Sequence, residues 1–422
     1  MKYLKQIYYE MLHQKMMTWV SITGTALAIF LVMVFYLVDR LGTVEVAPES
    51  NRGRILLGTF IDIAIEESGE ASGGLSHRMA NQLYHNLKGV ERESYTSWNS
   101  DKKDISIKGG ESFSISVKMV DNEFWNIYDF SFIDGKPFSK NDIDSRLNKI
   151  ILTRSVARKI FGEEKVSGRE ILLGMIPFTV CGVVKDTNPL LATSYALAYI
   201  PYYPEKSGYS EIWDEWLGHT QVILLPKHGM DENLIRQEVK DRYKRLQIKG
   251  EKEGYTLTYR HQPYNIETIS RGIYSGRDPE KEDPKKWMIY TLLILVPAIN
   301  LSSMTRSRLR HRVSEIGVLR AFGASKSSIL IQVLIENFII TIFGGILGLV
   351  LCFIFMVSFS HLFFSFGTNL DGYITPDLNM IFTWRAFLTA LVLCCILNLI
   401  SAFIPSWKAS RISPADAIRK VK

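Results

Sequence analysis

Residues 16–38 read MMTWVSITGTALAIFLVMVFYLV and contain no charged side chain, although Lys15 and Asp39 stand at either end. A helix rises about 1.5 Å per residue, so a helix of this length exceeds the roughly 30 Å hydrocarbon core of a bilayer. The run is too long for a signal peptide, and no small-residue cleavage site follows Asp39. The sequence therefore predicts a membrane-spanning helix at 16–38.

Three further stretches have the same character. Residues 288–305 and 386–407 carry no charged side chain, and 329–360 carries Glu336 alone. Each is long enough to cross a bilayer as a helix. The predicted fold class is a membrane protein with four transmembrane α-helices and a large α+β extracytoplasmic domain, residues 39–287, inserted between the first and second spans.

The distribution of basic residues predicts the orientation. Lys and Arg concentrate in 1–15, 306–328 and 408–422, and basic residues beside spans are retained in the cytoplasm. Both termini and the 306–328 loop are therefore expected in the cytoplasm of a bacterium. Residues 39–287 and the short loop 361–385 are expected outside its inner membrane. The net charge of +7 then reflects this topology and contact with anionic lipid, not nucleic-acid binding.

The segment before the first span has its own pattern. Leu4, Ile7 and Tyr8 recur at helical spacing, with Lys5 on another face. This is typical of an amphipathic helix lying on a membrane surface. Residues 1–15 are therefore predicted to lie on the inner leaflet.

The outer segment mixes two kinds of pattern. Alternating apolar runs at 54–65 and 105–120 predict strands, whereas 73–87 and 231–245 predict helices. Strands and helices interspersed in this way indicate an α+β domain of two subdomains. The polar stretch 264–284, with two Gly and two Pro residues, predicts a connector back to the membrane.

The sequence lacks the common catalytic motifs. It has no GxxxxGK[ST] loop for nucleotide phosphates, no HExxH zinc motif and no GxSxG nucleophile turn. We predict no catalytic, cofactor or metal site in this chain. Any ATP and magnesium must then be bound by another chain.

The stretch Arg312–Ser325, RVSEIGVLRAFGAS, and the closing stretch Pro405–Arg419, PSWKASRISPADAIR, resemble the MacB/FtsX family of ABC permeases, also called the type VII or mechanotransmission class. The outer stretch 120–142 and the segment 150–186, which ends in CGVVKD, look like the MacB-type periplasmic core domain of that family. The resemblance covers essentially the whole chain. It implies one span, a large periplasmic domain and then three spans, the order that charge alone predicts.

The resemblance also implies partners. MacB carries a fused ATPase domain that is absent from this sequence, so the chain resembles the stand-alone permeases that pair with a separate ABC ATPase subunit. A dimer is implied, with a second copy or a paralogue, and with an outer domain of two lobes, one inserted within the other. A periplasmic adaptor and an outer-membrane channel are further partners that an efflux role would require.

The cytoplasmic loop is the candidate coupling site. Apolar residues, two glycines and flanking charges suit a short helix that docks into a cleft of a cytoplasmic protein. On the loop alone, an interfacial helix that anchors the span to lipid is equally compatible; the resemblance favours docking to the ATPase. The predicted coupling residues are Ser314, Glu315, Ile316, Gly317, Val318, Leu319, Arg320, Ala321, Phe322, Gly323 and Ala324.

Two features of the third predicted span stand out. Gly344, Gly345 and Gly348 form a small-residue face that would let another helix approach closely. The pattern is equally compatible with a helix of the same chain packing on this face and with self-association of two chains through it. Glu336 is an intramembrane carboxylate, which is costly and therefore a functional candidate. The alternative is a structural partner among the basic residues from Arg306 to Arg320.

These features predict an ABC permease subunit that is not itself an enzyme. A separate ATPase would move its outer domain, for export of a peptide, drug or lipid-like substrate. The alternative is an FtsX-like signalling scaffold that regulates a cell-wall hydrolase or a sensor without moving cargo. The FtsX branch typically has smaller outer domains, so the length of 39–287 favours export.

Overall fold

The structure is a computed structural model that describes residues 15–41, 45, 47–65, 69–98, 100–187, 191, 193–203, 214–258, 262–266 and 321–358, with isolated helical positions between 288 and 318 and between 388 and 407. The chain divides into two compact units. The helical unit comprises 1–41, 280–363 and 377–422, and the outer domain comprises 42–279 and 364–376.

The helical unit contains two long helices among the described residues, α1 (Lys15–Leu41) and α7 (Lys326–Ser358). The outer domain contains, in chain order, β1 (Leu56–Gly58), β2 (Phe60–Ile65), β3 (Gly69–Gly74), α2 (His77–Tyr84), β4 (Val90–Ser97), β5 (Asp101–Ser106), β6 (Phe113–Val120), α3 (Phe124–Ile127), β7 (Phe132–Gly135), α4 (Lys140–Asp144), β8 (Lys149–Thr153), α5 (Arg154–Phe161), β9 (Glu170–Leu173), β10 (Ile176–Val184), β11 (Ala198–Pro201), β12 (Thr220–Pro226), α6 (Glu232–Glu253), β13 (Tyr255–Thr258) and β14 (Tyr264–Asn265).

Lobe 1 of the outer domain is built from the beginning and the end of the stretch between α1 and the second predicted span, residues 45–98 and 214–266. Its main sheet has the antiparallel order β4-β12-β1-β14, and β13-β2-β3 form a smaller antiparallel sheet. The helix α2 packs against β12 of the main sheet and α6 packs against β13 of the smaller sheet, and the two helices contact each other, because each buries an apolar stripe. The buried side chains of this core include Leu83, Tyr84, Leu224, Ile235 and Val239.

Lobe 2, residues 100–203, is a closed barrel inserted between β4 and β12 of lobe 1. Among the described residues its strands pair in the ring β6-β5-β9-β10-β8-β11, and β11 pairs back onto β6 in parallel. Closure leaves these strands without a free edge. Ile115, Val117, Leu152, Val180 and Ala198 fill the interior.

A shared core joins the two lobes. Ile55 and Ile223 of lobe 1 and Val120 and Tyr199 of lobe 2 belong to one buried apolar cluster. Aromatic rings dominate the lobe 2 side: Trp125 contacts Phe130, Phe138 and Tyr199 edge to face, with ring centroids 5.1, 5.7 and 5.4 Å apart. Such pairs add to area burial, so the lobes are packed against each other and not merely tethered.

Two local predictions in the outer domain were partly wrong. The helix predicted at 73–87 begins later, at His77, because Gly73 and Gly74 pair with Ile61 and Phe60 in the β2–β3 ladder. The predicted connector 264–284 begins with β14, which pairs with β1. Both misreadings have one cause: long-range strand pairing overrides local propensity.

Candidate coupling site

The helices α1 and α7 approach each other closely at two glycines. A Cβ atom added to Gly344 would lie 2.8 Å from Thr25 Cγ2, and one added to Gly348 would lie 2.7 Å from the carbonyl oxygen of Ala26. Further along, the rings of Phe30 and Phe355 meet edge to face with centroids 5.4 Å apart. The contacts advance together along both helices, so α1 and α7 run parallel. Two spans that both cross outward from the cytoplasm would have this relative direction.

The small-residue face of α7 therefore packs against α1 of the same chain at two of its three glycines, Gly344 and Gly348. Gly345 is also buried. Small residues let helix backbones approach, which is how packing develops between helices in lipid. Self-association through the same face of α7 would have to displace α1.

Polar side chains are buried along the same pair of helices. Thr18, Ser21 and Thr25 are buried on α1, and Asn337 and Thr341 on α7. Asn337 Nδ2 donates to Val333 O at 2.9 Å, and Thr341 Oγ1 donates to Asn337 O at 2.7 Å. Bonds back to the own helix satisfy polar groups where water is absent.

The carboxylate of Glu336 lies in this polar stretch and is 8% exposed. The basic residues between Arg306 and Arg320 that the sequence offers as its structural partners lie outside the described residues. Both predicted roles of Glu336, a functional carboxylate and a structural partner of those basic residues, therefore stay predictions. Its burial beside Asn337 places it inside the helical unit and not on an outward face of α7.

The length and composition of α7 suit a membrane span. Among the described residues, α7 is the one helix that has at least 18 residues and is apolar enough to cross a bilayer. The apolar part of α1, Thr18–Val34, is shorter than 18 residues. The predicted spans 288–305 and 386–407 are described only at isolated positions. The count of four spans therefore stays a prediction.

The turn before α7 carries the described part of the predicted coupling loop. Phe322 N donates to Val318 O at 3.0 Å, which closes the last turn of a helix. Gly323 has φ +88, a left-handed conformation that favours glycine and ends the helix there. Ser325 then caps α7, since its Oγ accepts from Ser328 N at 3.1 Å.

This turn presents apolar surface to its surroundings. Phe322 is 87% exposed and Val318 is about half exposed, whereas Ala324 packs against the buried Ile329 and Val333 of α7. An aromatic side chain so fully exposed next to a capped helix start suits a docking surface. Of the predicted coupling residues, Ser314, Glu315, Ile316, Gly317, Leu319 and Arg320 lie outside the described residues.

A buried charged cluster in the outer domain escaped the sequence analysis. Glu49 is fully buried, and its carboxylate accepts from Arg52 Nη1 at 2.6 Å, Thr193 Oγ1 at 2.6 Å and Ser194 N at 3.0 Å. Lys118 is 1% exposed, and burial lowers the pKa of its amine to about 8, against the opposing attraction of Glu49. The available signal was a lysine among the apolar residues of β6, FSISVKMV.

The comparisons with known proteins address both units. The sequence model of the MacB-like periplasmic core domain matches residues 18–242, and that of the FtsX-like permease C-terminal domain matches residues 287–414. Together they define a membrane protein with a large periplasmic domain and a permease domain. The chain belongs to the MacB/FtsX family of ABC transporter permeases.

Curated relatives match this chain at low sequence identity. The chain is 24% identical to the macrolide export ATP-binding/permease protein MacB of Chromobacterium violaceum, over 72% of this chain and 43% of that protein. It is 22% identical to MacB 1 of Yersinia pestis bv. Antiqua, over 80% and 49%. The chain thus spans less than half the length of either relative. The periplasmic region of MacB from Actinobacillus actinomycetemcomitans aligns with 52% of this chain and 94% of that chain, at 16% identity and TM-score 0.35.

Close packing at the two glycines predicts a graded response to substitution. We expect Gly344→Ala and Gly348→Ala each to lower the free energy of unfolding by about 1–3 kcal/mol, as overpacking does. Thr25→Gly should relieve Gly344→Ala, whose clash is with the Thr25 side chain, but not Gly348→Ala, whose clash is with a backbone oxygen. Thermal unfolding of the full chain in nanodiscs measures this.

The exposed neighbour Ile346→Ala serves as the matched control on the same helix. Unchanged unfolding in both glycine variants, together with loss of a dimer by cross-linking, would instead assign the glycine face to self-association.

Proposed function

We propose that this chain is the permease subunit of an ABC exporter of the bacterial inner membrane, with both termini in the cytoplasm. Hydrolysis of ATP by a separate cytoplasmic ATPase moves its periplasmic domain and so drives export of a peptide, drug or lipid-like substrate. The permease acts as a dimer and has no catalytic role itself. A periplasmic adaptor and an outer-membrane channel complete the route in this proposal.

The observation that carries the proposal is the exposed apolar turn at the start of α7. Phe322 stands free of the chain at one end of a 33-residue helix, and the same helix packs in parallel on α1. A partner bound at the turn would therefore act on α7 directly and on α1 through the close glycine contacts. The export names of the curated relatives support the direction of transport.

Affinity purification of the tagged chain from its native membrane tests the proposal, with mass spectrometry of the proteins that co-elute. Recovery of an ATPase with Walker A and ABC signature motifs, and stimulation of that ATPase by the chain, is the expected result. Recovery of a cell-wall hydrolase or a sensor kinase without any ATPase would overturn it in favour of the signalling scaffold.

Truncating the exposed aromatic should uncouple the partner without unfolding the chain. For Phe322→Ala we expect a loss of about 2 kcal/mol in ATPase binding, or roughly thirtyfold in affinity, as for an aromatic anchor at an interface. The thermal unfolding midpoint should not change, because Phe322 makes few contacts within the chain. Binding is measured by titrating the ATPase onto the chain in nanodiscs.

Met175→Ala is the matched control, because Met175 is also 87% exposed but lies in the β9–β10 hairpin of lobe 2. Equal ATPase binding by the parent chain and both variants would exclude Phe322 from the docking surface.

A further inference from the structure

The hairpin between β9 and β10 of lobe 2 ends in exposed apolar side chains. Met175 is 87% exposed and Ile176 53%, Pro177 is exposed as well, and Leu147, just before β8, is 44% exposed. We name these four residues the tip patch. Among the described residues of the outer domain five large apolar side chains are exposed, and three of them belong to this patch. Their clustering distinguishes the patch from the single exposed apolar residues of an ordinary surface.

Strand pairing places Leu147 beside the hairpin. The strands β8 and β10 are parallel, with Lys149 opposite Thr179, and Thr179 N donates to Asn148 O at 2.9 Å. Two residues before this pair, the same register sets Leu147 next to Pro177. The tip patch is therefore formed by two neighbouring strands and a turn, and not by one protruding side chain.

The turn of the hairpin holds Met175 in an unfavourable backbone conformation. Gly174 and Met175 have φ of +55° and +70°, the left-handed conformation at both central positions of a two-residue hairpin turn. Asparagine, aspartate and glycine adopt this conformation most readily, whereas a longer side chain is strained there. The turn itself thus does not explain a methionine. Backbone strain of this kind is typical of contact sites, and a flexible thioether adapts to an irregular apolar surface.

The charges around the tip patch indicate an occupant without a dominant charge. Gly174 N donates to Asp104 O at 2.8 Å, so the start of β5 flanks the patch on one side, and Arg146 precedes Leu147 on the other. Acidic and basic side chains lie along these flanks in equal number, namely Asp101, Lys102, Lys103, Asp104, Asp144 and Arg146. A protein partner that binds through complementary charge would need one dominant sign.

The outer domain is tethered to a bilayer. The chain is a membrane protein, and in its sequence predicted spans precede and follow the periplasmic core domain. Tethering gives the lipid a high effective concentration, so a contact too weak for a free domain becomes populated. The strength of an interfacial contact depends on the apolar area that enters the boundary between headgroups and acyl chains. Three exposed apolar side chains and a proline supply such area.

We propose that the tip patch is a membrane-contact site of the outer domain. Its apolar side chains enter the interface of the bilayer that holds the chain, among the headgroups and the first acyl carbons of the leaflet on the outer side. The occupant is therefore a lipid surface. This assignment goes beyond the proposed export function and does not depend on it.

Fluorescence quenching on the full chain in phosphatidylcholine nanodiscs tests the contact. An environment-sensitive fluorophore is attached to Asn148→Cys, an exposed position beside the patch, in a chain whose four native cysteines are replaced by alanine. Lipids that carry a nitroxide on the headgroup quench a fluorophore at the bilayer surface, whereas iodide quenches one in water. We expect quenching by the labelled lipid and protection from iodide. The same fluorophore on Lys108→Cys, between β5 and β6 beyond the opposite end of β9, is the reference and should be quenched by iodide alone.

The variant Met175→Asn separates the contact from folding. Asparagine suits the left-handed turn, so the unfolding midpoint should be retained or rise. The ratio of inserted to free tip should fall about tenfold, as expected when one buried apolar side chain is lost. Ile248→Asn, which removes an exposed apolar side chain from α6, is the matched control and should leave the quenching unchanged.

Three results would overturn the membrane contact. Equal iodide quenching at Asn148 and Lys108 would place the patch in water. Protection from iodide without quenching by the labelled lipid would assign the patch to a protein contact, such as a second copy of the chain. Unchanged lipid quenching in Met175→Asn would exclude the tip patch as the inserted element. None of these results bears on whether the chain pairs with an ATPase, so the proposed function is tested separately.

Discussion

Replacing Glu49 with glutamine is expected to lower the free energy of unfolding of the outer domain by about 3 kcal/mol, and replacing it with alanine by up to about 5 kcal/mol. Either change removes a fully buried carboxylate that bonds Arg52, Thr193 and Ser194. Two buried cations, Arg52 and Lys118, are left without this counter-charge. Breaking a buried pair by removing one partner leaves an uncompensated charge in a medium of low dielectric constant.

The measurement is thermal unfolding of the full chain in nanodiscs, together with hydrogen exchange in β1 and β11, which flank the cluster. A loss of 3 kcal/mol corresponds to roughly 6–12 °C in the unfolding midpoint for a domain of this size. Glu215→Gln is the matched control, because its ion pair with Arg78 has the same 2.6 Å distance but both side chains are more than half exposed. Exposed pairs contribute about 0–1 kcal/mol, so equal losses in the two variants would contradict the argument.

Replacing Lys118 with methionine should have the opposite effect and stabilise the outer domain at pH 7, by about 1–3 kcal/mol. The amine is 1% exposed, and Glu49 keeps its bonds to Arg52, Thr193 and Ser194 when the lysine is gone. Methionine fills a similar volume without a charge to desolvate. Hydrophobic replacement of buried charges is often stabilising for this reason.

The pH dependence of this effect has a definite sign. Burial lowers the pKa of Lys118 from its usual 10.5 to about 8, so the unfolded chain binds more protons than the folded chain between those values. The stability of the parent chain therefore rises as pH increases from about 8 to 10.5 and falls again as pH decreases over the same interval; below about pH 8 this residue no longer makes stability depend on pH. The advantage of Lys118→Met over the parent chain should narrow across the same interval.

Unfolding midpoints of the two chains at pH 7, 8, 9 and 10 test this. Lys102→Met, at an exposed position on β5, is the control for loss of a surface charge. A constant difference between Lys118→Met and the parent chain at all four pH values would show that Lys118 does not titrate in this range.

Local sequence was sufficient for the elements whose signal is contained within them. The uncharged runs at 16–38 and 329–360 lie within a few residues of α1 and α7, because a helix that must face lipid is apolar throughout its length. The α6 helix begins where the acidic start predicted it, with Asp231 Oδ1 accepting from Asn233 N at 3.0 Å. Such signals depend on neighbours a few residues away.

The candidate site was predicted only in part. The motif at 314–324 drew attention to the loop, but the exposure of Phe322 follows from the turn at Gly323 and the cap at Ser325, which place the ring away from α7. The three glycines of α7 were recognisable as a close-packing face. Which helix occupies that face could not be read from their spacing, because a small-residue pattern is the same for an internal and an external partner.

The sequence by itself determined that this chain has membrane-spanning character at its ends and an α+β domain between them, since charge and apolar periodicity are local properties. Its family also follows from motifs along the chain. Only the tertiary structure decided that the inserted lobe closes into a barrel, that β1 and β14 are neighbours, and that Glu49 meets Thr193 across 144 residues. These features depend on contacts between distant segments, whose free energy is gained only when the whole domain has folded.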